Sequence, residues 1–169
     1  MKINIASNEI IHFIGIGGIG MSGLAQIMNN MGFTIQGSDL SRNKNTERLT
    51  KSGIKVFFGH DKKNINRATL IVISSAIEKN NIELKTARNK KIPIFKRGEM
   101  LANIVALKKN IVITGSHGKT TTTSLVANIL VEAGLDPTVI NGGVINSLKN
   151  TAQLVKGDWA VIESDESDG

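Results

Sequence analysis

Residues 114 to 123 read Thr-Gly-Ser-His-Gly-Lys-Thr-Thr-Thr-Thr, directly after the apolar run Ile111-Val112-Ile113. A buried strand that runs into a glycine-bounded loop, then a lysine, then hydroxyls opening a helix is the arrangement that cradles nucleotide phosphates. Gly115 and Gly118 let the N–H groups around Ser116 and His117 turn inward on an anion, and a helix starting near Lys119 adds the positive end of its dipole. In an ATP site, Lys119 is expected on the β- and γ-phosphate oxygens. Thr120 is expected on the Mg²⁺ that bridges them, with Thr121 beside it. Four successive threonines suit a helix start beside phosphate better than a helix interior, where β-branched side chains lose rotamer freedom. The loop is shorter than the common P-loop, because only two residues separate Gly115 from Gly118.

A second phosphate-type pattern lies at the other end of the chain. Ile10 to Ile14 is an apolar strand, followed by Gly15, Gly17, Gly18 and Gly20 and then a helix whose Met21, Leu24, Ala25, Met28 and Met31 form one stripe. The stripe reads as core, since methionine fills irregular gaps. Asp39 follows at the end of the next strand, where an acid would meet a ribose hydroxyl in a Rossmann unit. A third feature is Trp159 to Ile162, an apolar strand that ends on Glu163 and continues into Ser164-Asp165-Glu166-Ser167-Asp168. A carboxylate at such a strand end beside a phosphate loop gives Mg²⁺ a second protein ligand, so Glu163 joins Thr120 as the expected metal site.

The elements that must hold these residues alternate. Strands are expected at 10–15, 34–38, 55–58, 69–74 and 92–95, with helices near 20–31, 45–52, 81–90 and 97–107, which implies an α/β fold with a parallel sheet. After Leu107 the pattern restarts with a strand, a loop and a helix over about 119–133 that stops at Gly134. The expected organisation is a Rossmann-like parallel-sheet domain over 1–107, followed at 108–169 by the start of a P-loop-type α/β ATP-binding domain.

Composition narrows the function classes. The 169 residues contain no cysteine, which excludes disulfides, thiolate chemistry and cysteine-held zinc. The apolar runs are interrupted within a few residues, so neither a membrane span nor a signal peptide is expected, and the reading is a soluble cytoplasmic protein. The net charge is +7, and five of the fourteen acids fall in the last twelve residues. The rest is therefore more basic than the total, which suits an anionic ligand such as a nucleotide. The lysines are scattered and one Trp, five Phe and no Tyr offer little for base stacking, against nucleic acid.

Taken in order, His12 to Ala25, Gly37-Ser-Asp39, Gly59-His60, Ser74-Ser75-Ala76-Ile77, Arg97-Gly-Glu-Met-Leu101, Thr114 to Thr123 and Glu163 to Asp168 resemble the Mur ligases along the whole chain. The resemblance is to the branch that acts on UDP-N-acetylmuramate and L-alanine. It implies ATP and Mg²⁺ as cofactors, transfer of the γ-phosphoryl group to the substrate carboxylate, and attack of the alanine amine on the resulting acyl phosphate. It further implies that the first domain binds UDP-sugar rather than a dinucleotide, with Gly15, Gly17, Gly18 and Gly20 facing the diphosphate. Ser38 and Asp39 would lie near the ribose or base, and His60, Ser74 and Ser75 would be further contacts. Lys119 and His117 would act on the transferred phosphate, and Asn141-Gly142-Gly143 would match the family's glycine pair.

The family has three domains, so the resemblance also implies an N-terminal fragment, expected to retain at most UDP-substrate affinity and no ligation. Two rival readings are an NAD-dependent oxidoreductase, which leaves the second loop and Glu163 unexplained, and a non-catalytic nucleotide-binding module.

Overall fold

The computed structural model of the chain describes residues 9–141, 144–146 and 157–163. Gly142, Gly143 and Ser164 to Asp168 lie outside the described residues. The chain divides into two compact units, Met1–Leu101 and Ala102–Gly169. The division falls inside the helix Arg97–Val105, ahead of the boundary expected at 107.

Unit one is a parallel five-stranded sheet. Its strands are β1 (Ile10–Ile14), β2 (Thr34–Asp39), β3 (Lys55–Phe58), β4 (Leu70–Ile73) and β5 (Ile94–Lys96), in the order β3-β2-β1-β4-β5. The helices α1 (Ile19–Asn30), α2 (Lys44–Lys51) and α3 (Ile82–Asn89) alternate with them, and α4 is Arg97–Val105. A central parallel strand is covered on both faces, which explains why β1 is a near-continuous apolar run with Ile11, Phe13 and Ile14 fully buried. Met21, Leu24, Ala25 and Met28 of α1 are buried, so the methionine stripe is core. On the α3 side, Ile14, Ile65, Ile71, Leu84 and Ala87 form one apolar cluster. Asn43 starts α2 with a capping box shared with Thr46, and Asn81 caps α3 by accepting from the amides of Glu83 and Leu84.

Unit two comprises β6 (Lys109–Ile113), α5 (Lys119–Glu132), β7 (Thr138–Asn141), β8 (Val144–Asn146) and β9 (Trp159–Glu163), with sheet order β6-β9-β7-β8. The last strand in sequence therefore inserts between β6 and β7, parallel to both, while β8 pairs antiparallel with β7. The pairing of β8 was not expected from the sequence. Ala127, Val139 and Val161 form the buried core of this unit, flanked by Ile113, Val126 and Leu130. Val112, Leu125 and Ile129 are exposed. Among the described residues, no helix is long and apolar enough to cross a membrane.

Candidate functional site

The second loop lies where β6 meets α5. Gly118 is the N-cap of α5 at φ 75°, a left-handed conformation that costs glycine little. No side chain caps this helix and its own first turn carries no acid, so the positive end of its dipole faces the loop. Thr122 is the first residue whose amide returns to the loop, at Gly118 O. The register of β6 on β9 sets Glu163 directly opposite Ile113, at the mouth of the loop. The Thr120 hydroxyl lies 3.1 and 3.2 Å from the two Glu163 carboxylate oxygens. An open cavity of about 420 Å³ is lined by Ser116, His117, Gly118, Lys119, Thr120, Thr121 and Glu163. These are the residues expected from the sequence, with Gly115 at the loop entrance. A hydroxyl and a carboxylate form a hard-oxygen donor pair that fits Mg²⁺, which commonly keeps its waters and phosphate oxygens for the remaining positions.

The first loop has the same order of elements but different hydrogen bonding. The amides of Gly15 and Ile16 both donate to Ser38 O at 2.8 and 3.0 Å, and Gly18 N donates to Gly15 O. Gly17 N donates to Asp39 Oδ2 at 2.8 Å, and the Asn45 and Asn43 side-chain amides donate to Gly17 O. A Cβ on Gly17 would sit 2.7 to 2.9 Å from the side chains of Asn43, Asp39 and Thr46, so these would have to shift to admit one. The glycine amides of this loop are thus used internally. The amides of Ile19, Gly20 and Met21 in the first turn of α1 make no hydrogen bond among the described residues. The Arg97 guanidinium packs against Gly20, where a Cβ would lie 3.0 to 3.2 Å from it. Arg97 was not singled out as a site residue from the sequence. Its only signal there was its place in the Arg97-Gly-Glu motif.

Asp39 holds the loop through Gly17 and also accepts from Ser41 N. Ser74 lies beside Gly15, and its Oγ accepts from Ala76 N, while Ser75 is exposed. Ser38 is fully buried, with its hydroxyl turned away from solvent. It donates to Oε2 of Glu83 at 2.5 Å, and both lie next to His60.

Glu83, which sequence reasoning missed, is fully buried at the start of α3. Its Oε2 faces Ser38 Oγ, His60 Nδ1 at 3.2 Å and His12 Nε2 at 3.4 Å. Its Oε1 accepts from Asn64 Nδ2 at 2.6 Å and Asp61 N at 3.3 Å. Burial alone raises its pKa. The hydrogen bonds from His12, Ser38 and Asn64 outweigh that and hold it at about 2. A polar residue in the middle of the apolar β1, His12, was the available signal that a buried partner exists.

A parallel α/β unit with an uncapped helix start is followed by a second α/β unit whose glycine loop lines an open cavity with a carboxylate across it. The description "Mur ligase family, catalytic domain" matches residues 10–109, and "Mur ligase middle domain" matches residues 113–164. The chain belongs to the Mur ligase family. It is 66% identical over 169 residues to the UDP-N-acetylmuramate–L-alanine ligase of Pelagibacter ubique, covering all of this chain and 36% of that protein. The ligase of the same description from Azorhizobium caulinodans is 56% identical over 159 residues, 94% of this chain and 34% of that protein. The solved UDP-N-acetylmuramate-alanine ligase of Thermotoga maritima superposes with a TM-score of 0.71 at 31% identity, covering 90% of this chain and 36% of that one. The UDP-N-acetylmuramate:L-alanyl-gamma-D-glutamyl-meso-diaminopimelate ligase of Neisseria meningitides gives 0.72 at 31%, covering 95% and 53%. The chain spans about a third of the length of the curated relatives it matches.

Proposed function

We propose that this chain supplies the sugar-nucleotide-binding unit and part of the ATP-binding unit of an ATP-dependent ligase that joins L-alanine to the carboxylate of UDP-N-acetylmuramate. The observation that carries the reading is the meeting of Thr120 and Glu163 at the mouth of the Lys119 loop, on a chain that also holds a second, separate helix start for an anion. ATP and the sugar nucleotide are both cytoplasmic metabolites, which places the reaction in the cytoplasm.

A carboxylate is a poor acyl donor until one oxygen becomes a better leaving group. Transfer of the γ-phosphoryl group of ATP to that oxygen releases ADP and yields an acyl phosphate. The amine of L-alanine then adds to the carbonyl carbon, the tetrahedral adduct expels phosphate, and the nitrogen loses a proton to give the amide. Lys119 neutralises charge on the phosphate oxygens, while Gly115, Ser116, Gly118 and Thr121 line the cradle and α5 directs its positive end into it. His117 lines the cavity and is assigned to the group in transfer. Thr120 and Glu163 would hold Mg²⁺, which would supply further neutralisation of the phosphate charge. In unit one, the first turn of α1 at Gly20, with Arg97 against it, takes the diphosphate. Gly15, Gly17 and Gly18 shape the shelf beneath it. Ser38, Asp39, His60, Ser74 and Ser75 surround the nucleoside end, Ser38 through its neighbours. The dehydrogenase reading is disfavoured because it gives no account of the second loop or of Glu163, and the chain belongs to a ligase family.

The test uses the full-length polypeptide that carries this chain. Phosphate release should require both UDP-N-acetylmuramate and L-alanine, and Glu163→Gln should raise the Mg²⁺ concentration for half-maximal rate by about ten- to a hundredfold. ATP turnover that ignores the sugar nucleotide, or a metal requirement untouched by Glu163→Gln, would contradict the assignment.

A further inference from the structure

The buried carboxylate of Glu83 is not used by the reaction, yet it gathers donors from β1, β2, the loop after β3 and the 3-10 turn Lys62–Ile65. Its placement settles the state of one imidazole. His60 Nδ1 lies 3.1 Å from Ser38 Oγ and 3.2 Å from Glu83 Oε2. Ser38 has a single hydroxyl proton, and the 2.5 Å contact directs it to Glu83. Nδ1 therefore faces two acceptors and must itself carry the proton. In the singly protonated ring the lone pair is then on Nε2. That nitrogen makes no hydrogen bond among the described residues, and it is absent from the buried side-chain atoms lacking a partner. The His60 side chain keeps 13% of its surface exposed, so Nε2 is the ring nitrogen presented to solvent. His60 follows Gly59 just past β3, at the carboxyl edge of the parallel sheet where α/β proteins bind ligands.

We propose that Glu83 is a positioning residue for substrate binding: it fixes His60 in the Nδ1–H form so that Nε2 accepts a hydrogen bond from an N–H or hydroxyl group of the sugar nucleotide. The proposal rests on the functional reading above. The second histidine of the cluster behaves differently. Gln36 Nε2 donates both to Asn64 O and to His12 Nδ1, so His12 has its proton on Nε2, aimed at Glu83, and is enclosed completely. His12 completes the carboxylate's shell, whereas His60 transmits its effect to the surface.

Replacing the carboxylate by an amide separates positioning from bulk. In Glu83→Gln an amide N–H facing Nδ1 converts that nitrogen to an acceptor, moves the proton to Nε2, and turns the presented acceptor into a donor. In the full-length polypeptide, Glu83→Gln should raise KM for UDP-N-acetylmuramate at least tenfold, with kcat and the KM for ATP within twofold. In a His60→Ala background the same substitution should add less than twofold. A loss of equal size with and without His60, or a joint fall in kcat and both affinities, would show that Glu83 is structural and overturn the proposal. An unchanged KM would do the same.

A readout that needs neither variant nor ligand is the tautomer of His60 in the wild type, from long-range proton–nitrogen correlation spectra. The Nδ1–H form is expected, and the Nε2–H form would contradict the assignment even if Glu83→Gln failed to fold. Wild-type protein that did not bind the sugar nucleotide would overturn the functional reading, and with it the ligand contact, while the tautomer would still decide whether Glu83 orients the ring.

Discussion

The two glycine loops have the same order of parts, a parallel strand, a glycine turn and a helix, and they do opposite things with their amides. In the first, Gly15, Ile16 and Gly17 donate to Ser38 O and Asp39, and the asparagines at the start of α2 hold Gly17 from the other side. The loop is a hydrogen-bonded shelf, and its amides not used internally are those of the first turn of α1, among the described residues. In the second, the loop residues line an open cavity and a carboxylate stands across it at Thr120. Gly17 and Gly20 of the first loop sit in close packing, whereas Gly15 there and Gly115 and Gly118 of the second loop take positive φ. A glycine pattern therefore does not by itself say whether the glycines bind the phosphate; the residues that close over the loop decide that.

Several substitutions would break or sharpen this contrast. The largest effect is expected from Lys119→Ala, which should lower kcat of the full-length polypeptide by about a thousandfold, the scale seen when one preorganised charge is removed from a transition state. A drop below tenfold would show that the cradle does not hold the reacting phosphate.

The next concerns acid. Glu83 is depressed in the folded state, so its contribution to stability is fully present above the unfolded value near 4.5 and is lost as pH falls toward about 2. Across that window unit one should lose on the order of 3 kcal/mol through this group. Chemical denaturation of the chain at stepped pH would measure it, and Glu83→Gln should flatten the dependence. An equally steep fall in that variant would place the acid sensitivity elsewhere.

The smallest effect is expected from Gly17→Ala, which pushes a methyl group into Asn43, Asp39 and Thr46 and should cost about 1–3 kcal/mol, as overpacking does. Thermal unfolding would show it as a lowered midpoint. A neutral result would mean that the shelf is looser than its hydrogen bonds imply.

Much of this was legible in the sequence. The alternation of elements, the methionine stripe as core, and the grouping of Ser116 to Thr121 with Glu163 follow from local patterns, because each depends on periodicity or on adjacent residues meeting one strand end. The hairpin partner β8 was not foreseen, since three residues carry too little pattern. Nor was the Glu83 cluster, whose members His12, Ser38, His60, Asn64 and Glu83 come from separate elements. His12 inside an apolar strand announces that a partner is needed, but only the packing of α3 on the sheet identifies it. That the first loop's amides are engaged internally also depended on closure, because Asp39 and Asn45 reach Gly17 only once β2 and α2 are in place.

The central claim is that the two loops hold different ligands independently. Calorimetric titration of full-length Lys119→Ala and Gly20→Val with UDP-N-acetylmuramate and with a non-hydrolysable ATP analogue plus Mg²⁺ tests it most directly. The account predicts that Lys119→Ala loses the ATP analogue and keeps the sugar nucleotide within twofold, and that Gly20→Val does the reverse by displacing Arg97 from the start of α1. Loss of both ligands in either variant, or sugar-nucleotide binding that depends on Lys119, would contradict it.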